Sequence, residues 1–167
     1  YGFPADVKKY EAPVFCREWG EYVDDWYAHN APNRVSRSWG EGPQIIQATH
    51  LAMVYNEMCA TSRQFIGGAL WHPFDHQRGY HPDTYWGGLL DAFRQPKYAY
   101  EMFRAQTDAR ESLSFAKSGP TLFVAHELTP FSNADITVFT NCDSVRLIRY
   151  EKDTFMQKVE HLKPGMP

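Results

Sequence analysis

Charge of one sign, long apolar runs and paired cysteines are all scarce in this 167-residue chain. Lys and Arg number 17 against 20 Asp and Glu, a formal net charge of -3, and no basic cluster stands out. The electrostatic footprint of a nucleic-acid binder, or of a protein that docks on an anionic membrane, is therefore missing. No apolar stretch reaches the roughly 18 to 20 residues of a transmembrane helix. No signal-peptide pattern opens the chain, so any export signal is expected upstream of residue 1. The three cysteines, Cys16, Cys59 and Cys142, are far apart and odd in number. Without the spacing of a zinc site or of a disulfide framework, they read as small buried hydrophobes.

What the chain does have is apolar content of 43%, enough for a globular core, and aromatic content of 16%. All five Trp and most of the ten Tyr precede residue 105. Aromatic rings are ordinary core material, and they also dock on the apolar faces of sugar rings and edge concave pockets.

Along the chain, Pro13 to Glu18 is a short β-prone run, continuously apolar apart from Arg17, as expected of a covered parallel strand. Residues 20 to 42 are rich in Gly, Asn, Pro, Ser and charge and form a long loop. From Pro43 to about Arg63 the spacing of Ile45, Ile46, Ala48, Leu51, Ala52, Val54, Tyr55, Met58 and Cys59 predicts a helix, with Pro43 suited to its first turn. Phe65 to Trp71 predicts a second strand. Strand, loop, helix and strand over about 60 residues make a parallel crossover, the unit of an α/β sheet or barrel. A second loop, His72 to Gly88, is dense in His, Pro, Asp, Tyr and Trp, and a helix is expected from Pro96 to about Thr107. After a polar stretch ending in Ser118-Gly119-Pro120, four β-prone runs follow: Thr121 to His126, Ile136 to Thr140, Val145 to Tyr150 and Phe155 to Val159. They read as the opening of an antiparallel sandwich.

Both loops follow parallel strands and so open on the carboxyl side of the sheet, where α/β proteins place their chemistry. Glu18 is thus a candidate nucleophile, general base or general acid, against the alternative of a solvated or ion-paired carboxylate, with Arg17 on the opposite side of the backbone. The second loop offers Trp71, His72, Asp75, His76, Arg78 and His81. Imidazoles and a carboxylate are good metal ligands, but this spacing matches no strong zinc pattern and no helix aims two His at one point. An aromatic floor ringed by hydrogen-bonding groups suits a polyhydroxylated ligand better, and a metal-dependent hydrolase ranks last.

The run from Gly67 to Gln106 resembles the last barrel strand and final helix of glycoside hydrolase family 2. The likeness lies in a Gly-x-x-Trp-x-x-x-Asp pattern (Gly68, Trp71, Asp75), a Gly-Leu-Leu-Asp element (Gly88 to Asp91) and a Pro-Lys-x-x-Tyr-x-x-Phe helix (Pro96, Lys97, Tyr100, Phe103). Val14 to Gly20 is similar to the seventh barrel strand of that family, which ends in the nucleophilic glutamate followed by an aromatic and a small residue. Asp135 to Asp153 is similar to a strand pair of the β-sandwich domains that follow such barrels, although Arg149 and Tyr150 stand where Asn-Gly usually makes the turn.

The resemblance implies an α/β fold: the C-terminal portion of a (β/α)8 TIM barrel over residues 1 to 108, a linker over 109 to 120, and the start of an Ig-like antiparallel β-sandwich over 121 to 167. It implies part of a retaining, exo-acting β-glycosidase, most similar to β-galactosidases; from the residues themselves, no cofactor and no metal is expected. Glu18 would be the nucleophile and Trp71 the sugar platform, with His72, Asp75 and His76 reading hydroxyls. Trp19, Trp26, Tyr22 and His29 would shape the far side of the site, whereas Asp24 and Asp25 are expected to cap loops or form ion pairs. The acid/base Glu follows an Asn in this family, and the one Asn-Glu here, Asn56-Glu57, falls in a predicted helix, so that role is not carried over. The expected partners are a carbohydrate substrate and the remainder of the same polypeptide, with a periplasmic or secreted location. The competing reading is a carbohydrate-binding or structural piece with no chemistry of its own.

Overall fold

A computed structural model describes residues 11–20, 31–61, 64–79, 81–111, 119–151 and 153–159. Both expected strands of the first half form, β1 (Val14–Trp19) and β2 (Phe65–Leu70), and they pair in parallel. Between them runs α1 (Glu41–Thr61), preceded by a short 3-10 turn over Arg37–Trp39. The crossover inferred from sequence order is therefore present.

The parallel pair has a covered face and an open one. Cys16, Trp19, Phe65 and Leu70 pack with Ala48, Leu51 and Met58 of α1 and with Ala99 and Met102 of α2 (Tyr98–Arg104). Burying such side chains supplies on the order of 1.5–3 kcal/mol each. Phe15 and Ile66 remain largely exposed, at 56% and 66%. The register shifts between Cys16 and Trp19, so that two residues an odd distance apart both reach the helices.

At the end of β1 the chain leaves through Gly20, whose φ of 101° favours glycine. A Cβ there would also press on Leu70. In α1 the buried positions are Glu41, Gln44, Gln47, Ala48, Leu51 and Met58, at helical spacing, whereas Ile46 is 56% exposed. The apolar spacing located the helix correctly, but two glutamines occupy part of its inner face.

Residues 71–97 contain a small antiparallel pair, β3 (His76–Gln77) with β4 (Thr84–Tyr85). Single bridges join Phe74 to Leu90 and Leu90 to Pro96. Beyond α2, β5 (Leu122–Ala125) pairs antiparallel with β6 (Thr137–Thr140), and β7 (Ser144–Arg149) with β8 (Asp153–Lys158). The first hairpin packs on α2 through Tyr98 and Phe123, whose ring centroids are 5.2 Å apart. Asn141 anchors it further: its Oδ1 accepts from Thr121 N, and its Nδ2 donates to Thr107 O and Gly119 O. The register of the second hairpin is unbroken from Ser144↔Lys158 to Arg149↔Asp153, without an Asn-Gly turn.

Candidate functional site

Glu18 and Trp71 lie at the same, carboxyl end of neighbouring parallel strands. Trp71 N donates to Trp19 O at 2.8 Å, which extends the ladder past the last paired residues. Neighbouring strands run about 4.8 Å apart, so the backbone of Glu18 and that of the Trp71 loop open into the same space. Glu18 is half-buried, and its carbonyl accepts from the Cys16 thiol at 3.2 Å.

Beyond Trp71 a line of rings follows. The His72 centroid is 4.9 Å from that of Trp71, His76 is 4.6 Å from His72, and Tyr85 is 5.1 Å from His76. Trp71 is 39% exposed, while Tyr85 is 2% exposed and donates its hydroxyl to Trp71 O at 3.3 Å. Arg34 and Arg78 stack over the Tyr85 ring at 5.4 and 5.0 Å. Both imidazoles converge on one carbonyl: His72 Nδ1 lies 3.0 Å and His76 Nδ1 3.1 Å from Phe74 O. A carbonyl only accepts, so His76 carries its proton on Nδ1 and, when neutral, keeps Nε2 as an acceptor. The Trp71–His72 peptide is cis.

Two of the expected substrate contacts lie elsewhere. Trp19 is 5% exposed and sits between Tyr55 and Phe103, 6.1 and 6.0 Å away, because the register shift turns it onto the helices. Asp75 is 2% exposed and faces inward: its Oδ1 accepts from Gly88 N at 2.9 Å and from Lys97 Nζ at 2.7 Å. Trp26, Tyr22, His29, Asp24 and Asp25 fall outside the described residues. His81 is buried, and its Nδ1 accepts from Asp83 N at 3.1 Å. Among the described residues no three His, Cys, Asp or Glu side chains gather as metal ligands. No described helix is long and apolar enough to cross a membrane.

Sequence reasoning missed the polar layer beneath the rings. Lys97, at the N-cap of α2, is fully buried and donates to Val35 O, to Trp86 O at 2.8 Å and to Asp75. Gln47 donates to Asn33 O at 2.9 Å and Gly88 O at 3.4 Å. Gln44 donates to Arg37 O and Gly40 O, and its Oε1 accepts from Tyr98 N. These side chains satisfy loop carbonyls that lack regular partners. The signal in the sequence was two glutamines at i, i+3 spacing on an otherwise apolar helix face. Burial pushes the Asp75 carboxyl up and the Lys97 ammonium down from their ordinary ranges, each partly restored by the other's charge.

In comparison with known proteins, the chain is similar to the β-galactosidase of Thermoanaerobacter pseudethanolicus, 32% identical over 144 residues. The match covers 81% of this chain and 18% of that relative, so the chain spans about a fifth of the relative's length. Among solved structures it is similar to a β-glucuronidase from glycoside hydrolase family 2, with a TM-score of 0.45 and 21% identity, over 92% of this chain and 16% of the other. No protein-family model matches.

Proposed function

We propose that the chain, similar over 81% of its length to a β-galactosidase, belongs to glycoside hydrolase family 2 and supplies the nucleophile and the sugar platform of a retaining, exo-acting β-glycosidase. The observation that carries this reading is the placement of Glu18 at the carboxyl end of β1, beside Trp71 at the same end of the parallel β2. In a retaining enzyme two carboxyl groups stand about 5 to 5.5 Å apart, one attacking the anomeric carbon and one protonating the leaving oxygen. Glu18 is the attacking group. The acid/base comes from elsewhere in the polypeptide, since Asn56-Glu57 lies within α1.

Trp71 provides the apolar face for the sugar, and His72 and His76 read its hydroxyls with Nε2. The open face of β1 and β2, with Phe15 and Ile66 exposed, is the surface on which the remaining strands of a TIM barrel would close. Residues 121–159, two antiparallel hairpins, begin the sandwich domain. The substrate is a terminal β-galactoside of an oligo- or polysaccharide, and the site of action is periplasmic or extracellular.

The test is made on the complete protein. A 2-deoxy-2-fluoro galactosyl fluoride should add one sugar mass to a peptide containing Glu18, and Glu18→Gln should lower turnover of a nitrophenyl β-galactoside by about a thousandfold or more. Activity within about tenfold of the parent, or an adduct on another carboxylate, overturns the assignment.

A further inference from the structure

We propose that Lys97, acting through its buried pair with Asp75, is the positioning residue of this site, holding the loop after Glu18 and the loop bearing Trp71, His72 and His76 in one fixed relation. The inference rests on the glycosidase reading for its kinetic consequence but not for its geometry.

An ammonium has three protons to donate. Those of Lys97 go to three acceptors from three places: Val35 O in the loop after β1, Trp86 O in the far limb of the loop after β2, and Asp75 Oδ1 in its near limb. The partners are 62, 11 and 22 residues away in sequence, so no local turn sets their relation. Val35 N also donates to Trp86 O at 3.1 Å, which draws the same two loops together at the same point. Asp75 stands between His76 and Phe74, the residue whose carbonyl faces both imidazoles, and its own N donates to Leu90 O at 2.9 Å. A displacement of Asp75 therefore moves the backbone of Phe74, whose carbonyl faces His76 Nδ1 and whose amide and carbonyl both face His72 Nδ1.

Stability alone does not account for the pair. Both side chains are 0% exposed, and Asp75 Oδ2 has no hydrogen-bond partner among the described residues. Desolvating two charges costs about as much as their attraction returns, and an apolar pair of equal volume is often no less stable. Such a pair fills space but grips no carbonyl. Arginine is not an equivalent either, because its planar fork does not direct three donors tetrahedrally.

The experiment compares Lys97→Met and the double variant Asp75→Leu/Lys97→Met with the parent, all in the complete protein. The readouts are thermal melting, kcat and KM for a nitrophenyl β-galactoside, and 15N spectra of the histidine rings. Lys97→Met alone should melt lower, since it leaves a buried carboxylate without its cation. The double variant should melt above Lys97→Met but below the parent, because Gly88 N and Val35 O lose buried partners. It should raise KM about tenfold or more with a smaller change in kcat, and release His76 from its Nδ1–H form. A double variant with KM within about twofold of the parent and unchanged His76 spectra overturns the proposal. So does one that no longer folds, which would make the pair a folding determinant instead. Loss of the glycosidase reading itself is seen separately, as parental turnover by Glu18→Gln, and leaves the His76 spectrum as the deciding result.

Discussion

Residues 71–97 and the hairpin β7–β8 are held by different forces. The first contains only two strands of two residues each, yet Asp75, His81, Tyr85, Gly87, Gly88 and Lys97 are all buried there. The second has six consecutive cross-strand pairs and not one buried residue among those described. Regular backbone pairing orders the hairpin through neighbours in sequence. The irregular loop is ordered by side chains that reach its carbonyls from α1 and from the start of α2. Ladder bonds are worth about 0.5–1.5 kcal/mol each and are readily exchanged for water at an exposed edge, whereas a buried polar group deprived of its partner bears the full desolvation penalty. The loop should therefore respond steeply to single changes and the hairpin only weakly.

The largest expected effect is at Gly88. A Cβ there would run into backbone atoms of Phe74, Asp75 and Leu90, none of which can rotate away. Gly88→Ala should destabilise by about 3 kcal/mol or more. It should also raise amide exchange across residues 71–97 of the complete protein while leaving β7–β8 unchanged. Exchange that rises equally in both regions would erase the distinction between them.

That contrast also explains what could be read from the chain. Both parallel strands, α1, α2 and all four later strands were legible, because each rests on local periodicity or on a β-prone run of apolar residues. Glu18 and Trp71 were legible as strand-end residues for the same reason. The support beneath the site was not. Lys97 and Asp75 were both visible, one in the Pro-Lys pair and one four residues after Trp71, but nothing local says that they meet. Asp75 read as a surface hydroxyl ligand because a charged residue in a His-rich loop is usually exposed. Trp19 read as a loop aromatic because the register shift that turns it onto α1 and α2 depends on β2, some 50 residues later. Gln44 and Gln47 were passed over because the helical pattern was traced through apolar positions, which admitted the exposed Ile46 in their stead.

A smaller effect sharpens the comparison at the junction of the two halves. Glu41, at the start of α1, is buried, and its carboxylate accepts from Glu127 N at 2.6 Å, Asn133 N at 2.9 Å and Ser132 Oγ at 2.9 Å. The Glu127 amide, followed by the Asn133 amide and the Ser132 hydroxyl, holds this carboxyl below its ordinary range. A folded-state value below the unfolded one of about 4.3 means that the clamp stabilises above that pH and is lost as pH falls through the folded value. Protection of the Glu127 and Asn133 amides, corrected for intrinsic exchange, should therefore decline on acidification below about pH 4. In Glu41→Gln it should be weaker at neutral pH and independent of pH across that range. Parental protection that stays level with pH would show that the loop over 126–133 does not depend on the carboxylate.

The smallest effect belongs to the hairpin and has the opposite sign. Tyr150 and Glu151 follow β7 with φ of 52° and 59°, a conformation that costs a non-glycine residue about 1 kcal/mol. The exposed Arg149–Asp153 ion pair at 2.7 Å closes the strands beside this turn, and an exposed pair offsets only about 0.2–1 kcal/mol. Glu151→Gly removes the steric cost at one of the two positions while adding some freedom to the unfolded chain. The net gain should be about 0.5 kcal/mol, seen as roughly twofold slower exchange of the β7 and β8 amides. Turnover by the complete protein on the proposed glycosidase reading, and exchange in residues 71–97, should not change, because among the described residues no buried side chain joins the hairpin turn to the loop. A shift in either would mean that the site feels the hairpin through its backbone, and the contrast between a loop fixed from a distance and a hairpin fixed by its neighbours would then have to be redrawn.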